Sequence, residues 1–142
     1  MANKSMYLGL STEYKILSML LDEGREVYLP AVDDHGVDAL VLSRSAGPEG
    51  KRHYQELQIK SVSVGGLFAA ISCPNPRPNY WFVFYVKQHD TLWLINSMNF
   101  VKEASQNGKG DNIGKYSIAL ATQKSINKQR AQYIVTNFSK LP

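Results

Sequence analysis

The sequence predicts an α+β (α/β) fold in which helices flank a central mixed β-sheet. The first observation behind this prediction is the order of the periodic segments, which reads α-β-β-β-loop-β-β-(β)-α. The second is composition, because 44% hydrophobic and 20% charged residues supply an ordinary core. The third is length, since 142 residues suit one compact domain better than two. We therefore expect residues 1–142 to form a single domain.

Helical periodicity predicts a helix near each end of the chain. The first is expected over residues 11–23, with Ser11 or Thr12 as N-cap and Gly24 as the stop signal. Its apolar stripe consists of Leu10, Tyr14, Leu17, Leu20 and Leu21. The last is expected over residues 125–138, and its apolar face consists of Ile126, Tyr133, Ile134 and Phe138.

Strand-like patterns fill most of the sequence between these helices. Alternating or continuous apolar runs predict strands over residues 25–32, 37–43, 53–64, 80–86, 92–95 and 116–121. The first three are expected to form a meander. Short helices are expected over residues 67–71, before a proline-rich loop, and over residues 98–104, before a polar loop at 105–114.

Net charge and cysteine content indicate which kind of binding partner and which cellular compartment suit the protein. The net charge of +4 and the pI near 9.2 favour a polyanionic partner without identifying it. The only cysteine, Cys73, can form no internal disulfide, which indicates a reducing compartment, and we expect the cytoplasm. The N-terminal residues lack the apolar stretch of a signal peptide, and no window approaches the ~20 apolar residues that span a bilayer.

Polar side chains share one face of the third predicted strand, close to an acid in the second. Asp38 lies in the apolar segment GVDALVLSR, where a buried charge is costly unless a partner compensates it. In the next strand, YQELQIKS, the side-chain period of two puts Glu56, Gln58 and Lys60 on one face. A row of apolar residues occupies the opposite face.

A symmetric hairpin would bring these groups together. If Ser43 lies opposite His53, the same register puts Asp38 opposite Gln58 and one pleat from Lys60. Mg²⁺ takes oxygen ligands and commonly sits on one or two carboxylates plus substrate phosphate, so a carboxylate and an amide oxygen can hold it. Lys60 can orient the attacking water or neutralise charge that develops in the transition state. These residue types suit phosphodiester hydrolysis.

The two segments also resemble a known family. GVDALV, followed about twenty residues later by LQIKS, is similar to the signature of PD-(D/E)XK (restriction-endonuclease-like) nucleases in its QxK form. That form occurs in Holliday-junction-resolvase-like and methylation-dependent restriction nucleases. The resemblance covers residues 11–64 and includes the first helix. It implies a restriction-endonuclease-like core, Mg²⁺-dependent cleavage of DNA with Mn²⁺ as a substitute, and a homodimer.

The resemblance also implies a role for individual residues. Asp38 corresponds to the metal-binding acid, Gln58 stands at the second-acid position, and Lys60 corresponds to the catalytic lysine. The backbone carbonyl of Ile59 is implied as a further metal ligand, and Glu13 as an auxiliary acid. The sequence departs from the family pattern in two places: the proline before Asp38 is absent, and Gln58 replaces an acid, which removes one negative charge.

Simpler interpretations of these residues stay open. Asp38 follows a segment rich in turn-forming residues, and Gln58 and Lys60 suit a solvated strand face. Glu13 is favoured by the helix macrodipole near an N-terminus, and Glu56 is an alternative ligand to Gln58. The whole domain is alternatively an inactive nuclease fold kept for nucleic-acid binding or assembly, or an unrelated protein with an accidental motif.

Other residues give weaker signals. The three histidines and Cys73 lack zinc-ligand spacing. The aromatic run at 80–85 is more typical of core than of base stacking. Lys124, Lys128 and Arg130 fit a phosphate-contacting surface or a solvated helix face equally well.

Overall fold

The computed structural model describes residues 3–32, 36–62, 68–108, 110, 113–120 and 130–142. Two helices lie in these ranges, α1 (Lys4–Asp22) and α2 (Ser97–Glu103). The strands, in chain order, are β1 (Val27–Tyr28), β2 (Ala39–Leu42), β3 (Tyr54–Val62), β4 (Phe68–Ile71), β5 (Tyr80–Val86), β6 (Thr91–Asn96), β7 (Ser105–Gln106), β8 (Tyr116–Ala119) and β9 (Ile134–Val135).

The strands form a mixed central sheet and a smaller antiparallel one. The central sheet has the order β1-β2-β3-β5-β6-β9, in which β3 and β5 are parallel and the other neighbours are antiparallel. The smaller sheet has the order β4-β8-β7. The predicted fold class, a mixed sheet flanked by helices, is confirmed. The third strand pairs with β5, however, so the first three strands are one part of a larger mixed sheet.

The central sheet has an apolar layer on each face. Strands β5 and β6 contribute to both layers, whereas β3 contributes mainly to the layer under α1. On one face Leu57 and Val83 pack with Ile16 and Leu20 of α1, and all four are fully buried. On the other face the rings of Phe82 and Phe100 meet edge to face at a centroid distance of 4.9 Å, which fixes α2 on the sheet. The two helices therefore cover opposite faces.

Helix α1 is longer than predicted. It begins at Lys4, where the side chain of Asn3 accepts the N–H of Ser5 at 3.0 Å, and not at residue 11. Its end agrees with the prediction, because Gly24 adopts the left-handed φ of 74° after the last turn. The predicted stripe is only partly correct. The buried residues of α1 are Thr12, Ile16 and Leu20, whereas Leu10, Tyr14 and Leu21 are at least half exposed.

Two predicted helices are absent from the residues that the structure describes, and each segment contributes a strand instead. Residues 68–71 form β4 and pair with β8, because Phe68 and Ile71 are strand-forming residues and burial alternates along the segment, with Ala69 and Ile71 buried. The predicted helix over 125–138 is wrong from residue 131 onward. There a short 3₁₀ turn leads into β9, whose Val135 pairs with Leu92 at the edge of the sheet. Residues 125–129 of that prediction lie outside the described part of the chain.

Among the described residues, no helix is both long and apolar enough to span a membrane.

Candidate active site

Asp38 lies where β2 separates from β3. The predicted register of this hairpin is confirmed: the N–H of Ser43 donates to the carbonyl of His53 at 2.8 Å, and Ala39 lies opposite Leu57. Asp38 comes just before the first paired residue of β2, so it is at the strand entrance and not within the strand. Its own N–H donates to the carbonyl of Leu57 at 2.7 Å.

The Asp38 side chain extends the hairpin by one further hydrogen bond. Its Oδ2 accepts the backbone N–H of Ile59 at 2.6 Å, in place of the carbonyl that a longer β2 would supply. Within a strand the N–H and C=O of one residue point toward the same edge, so the carbonyl of Ile59 also points toward β2. The half-buried Asp38 is thereby tied to the residue between Gln58 and Lys60.

Gln58 and Lys60 share one face of β3 with Glu56, as predicted. All three line a cleft of about 770 Å³. Gln58 is half-buried and Lys60 is exposed. The ammonium group of Lys60 makes no hydrogen bond or ion pair with any residue in the described ranges. Its charge is therefore available to an anion that enters the cleft.

Glu13 and Asp38 line a second, smaller cleft of about 200 Å³ between α1 and the sheet, together with Ile59. Pro30 and Val37 line both clefts, so the two adjoin at the segment that leads into Asp38. The predicted residues therefore divide into two groups. The structure brings Glu13, Asp38 and Ile59 to one cleft, and Gln58 and Lys60 to its neighbour.

Tyr80 connects Gln58 to the segment that leads into Asp38. It is the first residue of β5, is 1% exposed, and lies beside Glu56 in the parallel register. Its hydroxyl is 2.7 Å from the carbonyl oxygen of Gly36 and 3.1 Å from Oε1 of Gln58. Gly36 leads into Asp38 and has a φ of 69°, and a Cβ atom there would stand 3.1 Å from the hydroxyl.

An arginine contributes a second cation to the larger cleft. Arg77 Nε lies 2.6 Å from Oε2 of Glu56, and the guanidinium lies 3.9 Å from the centre of the Tyr80 ring. This pair balances the charge of Glu56, which argues against Glu56 as the alternative metal ligand. Neither Arg77 nor the hydroxyl of Tyr80 was singled out from the sequence. The only local signal in the sequence is that Tyr80, an aromatic residue with a hydroxyl group, stands at the start of a core strand.

The run at 80–85 is core, as predicted, because five of its six residues are buried. Among the described residues, no group of three His, Cys, Asp or Glu side chains could hold a metal ion. Arg130 pairs with Glu103 at 3.1 Å, and Lys124 and Lys128 lie outside the described ranges.

Two nucleases are among the solved structures with a similar fold. One is a bacterial homing endonuclease, I-Ssp6803I, with a TM-score of 0.62 and 16% identity over 94% of this chain and 88% of that chain. The other is a nuclease from a fusselovirus, with a TM-score of 0.55 and 16% identity over the same shares of each chain. No protein-family model matches the sequence, and neither does any curated protein. By its architecture, this chain has the fold of these nucleases.

Proposed function

We propose that this chain is a magnesium-dependent DNA endonuclease of the PD-(D/E)XK type, in its QxK form. The observation that carries the proposal is the hydrogen bond from Ile59 to Asp38, which joins the acid to the Gln58–Ile59–Lys60 segment. The two structures of similar fold are described as a homing endonuclease and a nuclease, which supports the same class of reaction. Fold alone does not define chemistry, so the proposal depends on the site residues.

The donor groups fit a hard divalent cation. Asp38 offers a carboxylate, Gln58 an amide oxygen and Ile59 a backbone carbonyl, and oxygen donors of these kinds are the ligands of Mg²⁺. A carboxylate has about four acceptor sites, so the bond from Ile59 leaves acceptor capacity on Asp38. Glu13 lines the same cleft as Asp38 and can add a second carboxylate near the ion. Mn²⁺ has similar ligand preferences and is expected to substitute.

The bound cation would supply Lewis acidity toward the scissile phosphate and activate water. The protein residues have separate tasks around it. Asp38 provides the negative charge that retains the cation, and Gln58 provides a neutral oxygen. Lys60 places its ammonium group in the larger cleft, where it binds a phosphate oxygen and stabilises charge that develops as the phosphodiester bond breaks.

DNA cleavage tests the proposal directly. Wild-type protein is expected to nick supercoiled or branched DNA with Mg²⁺ or Mn²⁺, and to stop when the cation is chelated. Lys60→Ala should lower the rate on the order of 10²- to 10³-fold while most DNA binding is retained. The matched control is Lys51→Ala, because Lys51 is an exposed lysine outside both clefts that pairs with Glu49 at 3.0 Å. Full activity of Lys60→Ala would contradict the proposal.

Gln58 favours a second candidate function, a catalytically inactive nucleic-acid-binding or assembly module. With an amide at the second-acid position, the larger cleft contains one fewer negative charge for holding a cation. This candidate predicts DNA binding that is unchanged by Mg²⁺ or Mn²⁺, and no cleavage of any DNA by wild-type protein. Restoration of cleavage by Gln58→Glu would then identify the substitution as the cause of inactivity.

The proposal also includes a homodimer and a cytoplasmic location. Tyr7, Leu10, Tyr14 and Leu21 recur at three- to seven-residue spacing on α1 and are each at least half exposed, which suits contact with a second copy. Sedimentation equilibrium is expected to give twice the chain mass, and Tyr14→Glu to give the monomer. A wild-type monomer at concentrations that cleave DNA would contradict the dimer. The unpaired Cys73 suits a reducing location.

A further inference from the structure

The hydroxyl of Tyr80 is at the contact between Gln58 and the segment that carries Asp38. It lies 2.7 Å from the carbonyl oxygen of Gly36 and 3.1 Å from the terminal amide of Gln58. The residue itself is almost fully buried at the start of β5. A buried hydroxyl needs hydrogen-bond partners, and these two groups give it a defined geometry.

The proton count at this hydroxyl restricts the orientation of Gln58. A tyrosine hydroxyl carries one proton and can also accept, whereas the carbonyl of Gly36 can only accept. The shorter contact, to Gly36, therefore takes the proton. The hydroxyl oxygen can then only accept a hydrogen bond from Gln58, and the donor must be Nε2. A half rotation of the amide group exchanges Nε2 and Oε1 in nearly the same volume and brings Nε2 to the hydroxyl.

This orientation has a consequence for the metal site. The other atom of the Gln58 amide, Nε2, lies next to Gly36, where a Cβ atom would stand 3.2 Å from it. After the half rotation, Oε1 occupies this position beside Gly36. Gly36 is two residues before Asp38, so the oxygen then faces the segment that carries Asp38. An amide oxygen is a ligand for a hard cation, whereas an amide nitrogen is not.

We propose that Tyr80 is a positioning residue that holds Gln58 with its amide oxygen toward the Asp38 segment, so that both residues can bind one divalent cation. This inference rests on the proposed function. A carboxylate at position 58 would not need such help, because either of its oxygens can be the ligand. The role of the Tyr80 hydroxyl is therefore specific to the glutamine form of the site.

Mn²⁺ binding in the absence of DNA tests this role, with free Mn²⁺ measured by electron paramagnetic resonance. Tyr80→Phe is expected to weaken Mn²⁺ binding about tenfold, as supporting residues around metal ligands typically do. In the Gln58→Glu background, the same substitution is expected to weaken binding less than about threefold, because the ligand no longer depends on amide orientation. The difference between the two backgrounds is the measured quantity.

The matched control is Tyr85→Phe. Tyr85 is a buried tyrosine of the same strand whose hydroxyl also makes a hydrogen bond, to Asp90 at 2.7 Å, but it packs on the α1 face of the sheet. It should leave Mn²⁺ binding unchanged. Equal losses from Tyr80→Phe in both backgrounds would indicate a general structural effect and overturn the inference, as would no loss in either.

Cleavage assays separate this inference from the proposed function. If wild type cleaves DNA in a manner that depends on Asp38 and Lys60, and Tyr80→Phe binds Mn²⁺ normally, only the role of Tyr80 is overturned. If wild type neither binds Mn²⁺ nor cleaves DNA, the proposed function fails and the inference fails with it. Weaker Mn²⁺ binding confined to the glutamine background, together with wild-type cleavage, supports both.

Discussion

The carboxylate of Asp38 accepts a 2.6 Å hydrogen bond from the backbone N–H of Ile59, the residue between Gln58 and Lys60. A short N–H···O bond to a charged acceptor is among the stronger hydrogen bonds in proteins. It gives Asp38 a structural task as well as the proposed task of binding a cation. The first task needs only an acceptor, whereas the second needs the negative charge.

Substitutions at Asp38 are expected to separate the two tasks. Asp38→Asn keeps an oxygen acceptor for Ile59 and removes the charge, so unfolding free energy should change by less than about 1 kcal/mol while cleavage falls on the order of 10²-fold or more. Asp38→Ala also removes the acceptor and should cost about 1–3 kcal/mol. Urea unfolding followed by tryptophan fluorescence and nicking of supercoiled DNA measure the two effects.

Either result could contradict this interpretation. Normal cleavage by Asp38→Asn would mean that the charge of Asp38 has no catalytic use. An Asp38→Ala variant as stable as Asp38→Asn would mean that the bond to Ile59 contributes little to folding.

Local sequence patterns predicted the strands of the sheet better than the ends of the chain. The apolar run at 80–86 gives β5 with the predicted bounds, because every residue in it suits a buried strand. The run around Ile134 and Val135 has an apolar spacing that also suits period 3.6, so the sequence predicts a helix there. Pairing of Val135 with Leu92 decides in favour of a strand, and that contact is long-range in sequence.

The difference between local and long-range contacts also decides which parts of the site the sequence predicts. The hairpin register, with Ser43 beside His53 and Ala39 opposite Leu57, is set by a local connection, so the sequence is sufficient to predict it. Tyr80 and Arg77 reach the site through the parallel pairing of β3 with β5. Parallel strands need a long crossover, and no local pattern specifies their register.

Arg77 is expected to contribute to DNA binding through the charge balance of the larger cleft. Arg77→Ala leaves the carboxylate of Glu56 without its 2.6 Å ion pair, beside the proposed phosphate site at Lys60. We expect DNA affinity to fall about tenfold, or ~1.4 kcal/mol. The double variant Arg77→Ala, Glu56→Gln should recover part of this loss, because it removes the repelling charge.

Fluorescence anisotropy with a labelled duplex at several salt concentrations measures these affinities. Lys87→Ala, at the opposite end of β5 and exposed, is the control for loss of one positive charge. Equal affinities for Arg77→Ala and the double variant would show that repulsion by Glu56 is unimportant.

Arg25 is expected to be important for stability. Its buried guanidinium donates to the backbone carbonyls of Leu141 at 3.1 Å and Pro142 at 2.6 Å, and more weakly to those of Phe138 and Leu42. Burial lowers the pKa of Arg25, although the group stays protonated. Arg25→Met keeps much of the side-chain volume and leaves these carbonyls without their donor.

The expected loss of unfolding free energy for Arg25→Met is at least about 2 kcal/mol, because hydrogen bonds from a charged donor are lost. The control is Arg44→Ala, whose exposed side chain makes one such bond, to the carbonyl of Ser139 at 3.1 Å, and should cost no more than about 0.5 kcal/mol. Urea unfolding of both variants makes the comparison. Similar losses in the two would mean that burial of Arg25 adds nothing to its contribution.

Asp90 is expected to make stability depend on pH. Its carboxylate accepts the hydroxyl of Tyr85 at 2.7 Å and lies 3.4 Å from the ammonium of Lys15, and these contacts lower the pKa of Asp90 below its ordinary value. Because the pKa is lower in the folded state than in the unfolded state, the stabilisation is complete above the unfolded pKa. It is lost as pH falls through the folded pKa.

Asp90→Asn removes this titration. We expect the variant to be less stable than wild type near neutral pH, and the difference to shrink below about pH 4 as wild-type Asp90 becomes protonated. Urea unfolding across a pH series gives the two curves, and Asp22→Asn at the end of α1 controls for the loss of one carboxylate. A difference that stays constant from neutral to acidic pH would mean that the contacts of Asp90 stabilise the fold independently of its charge.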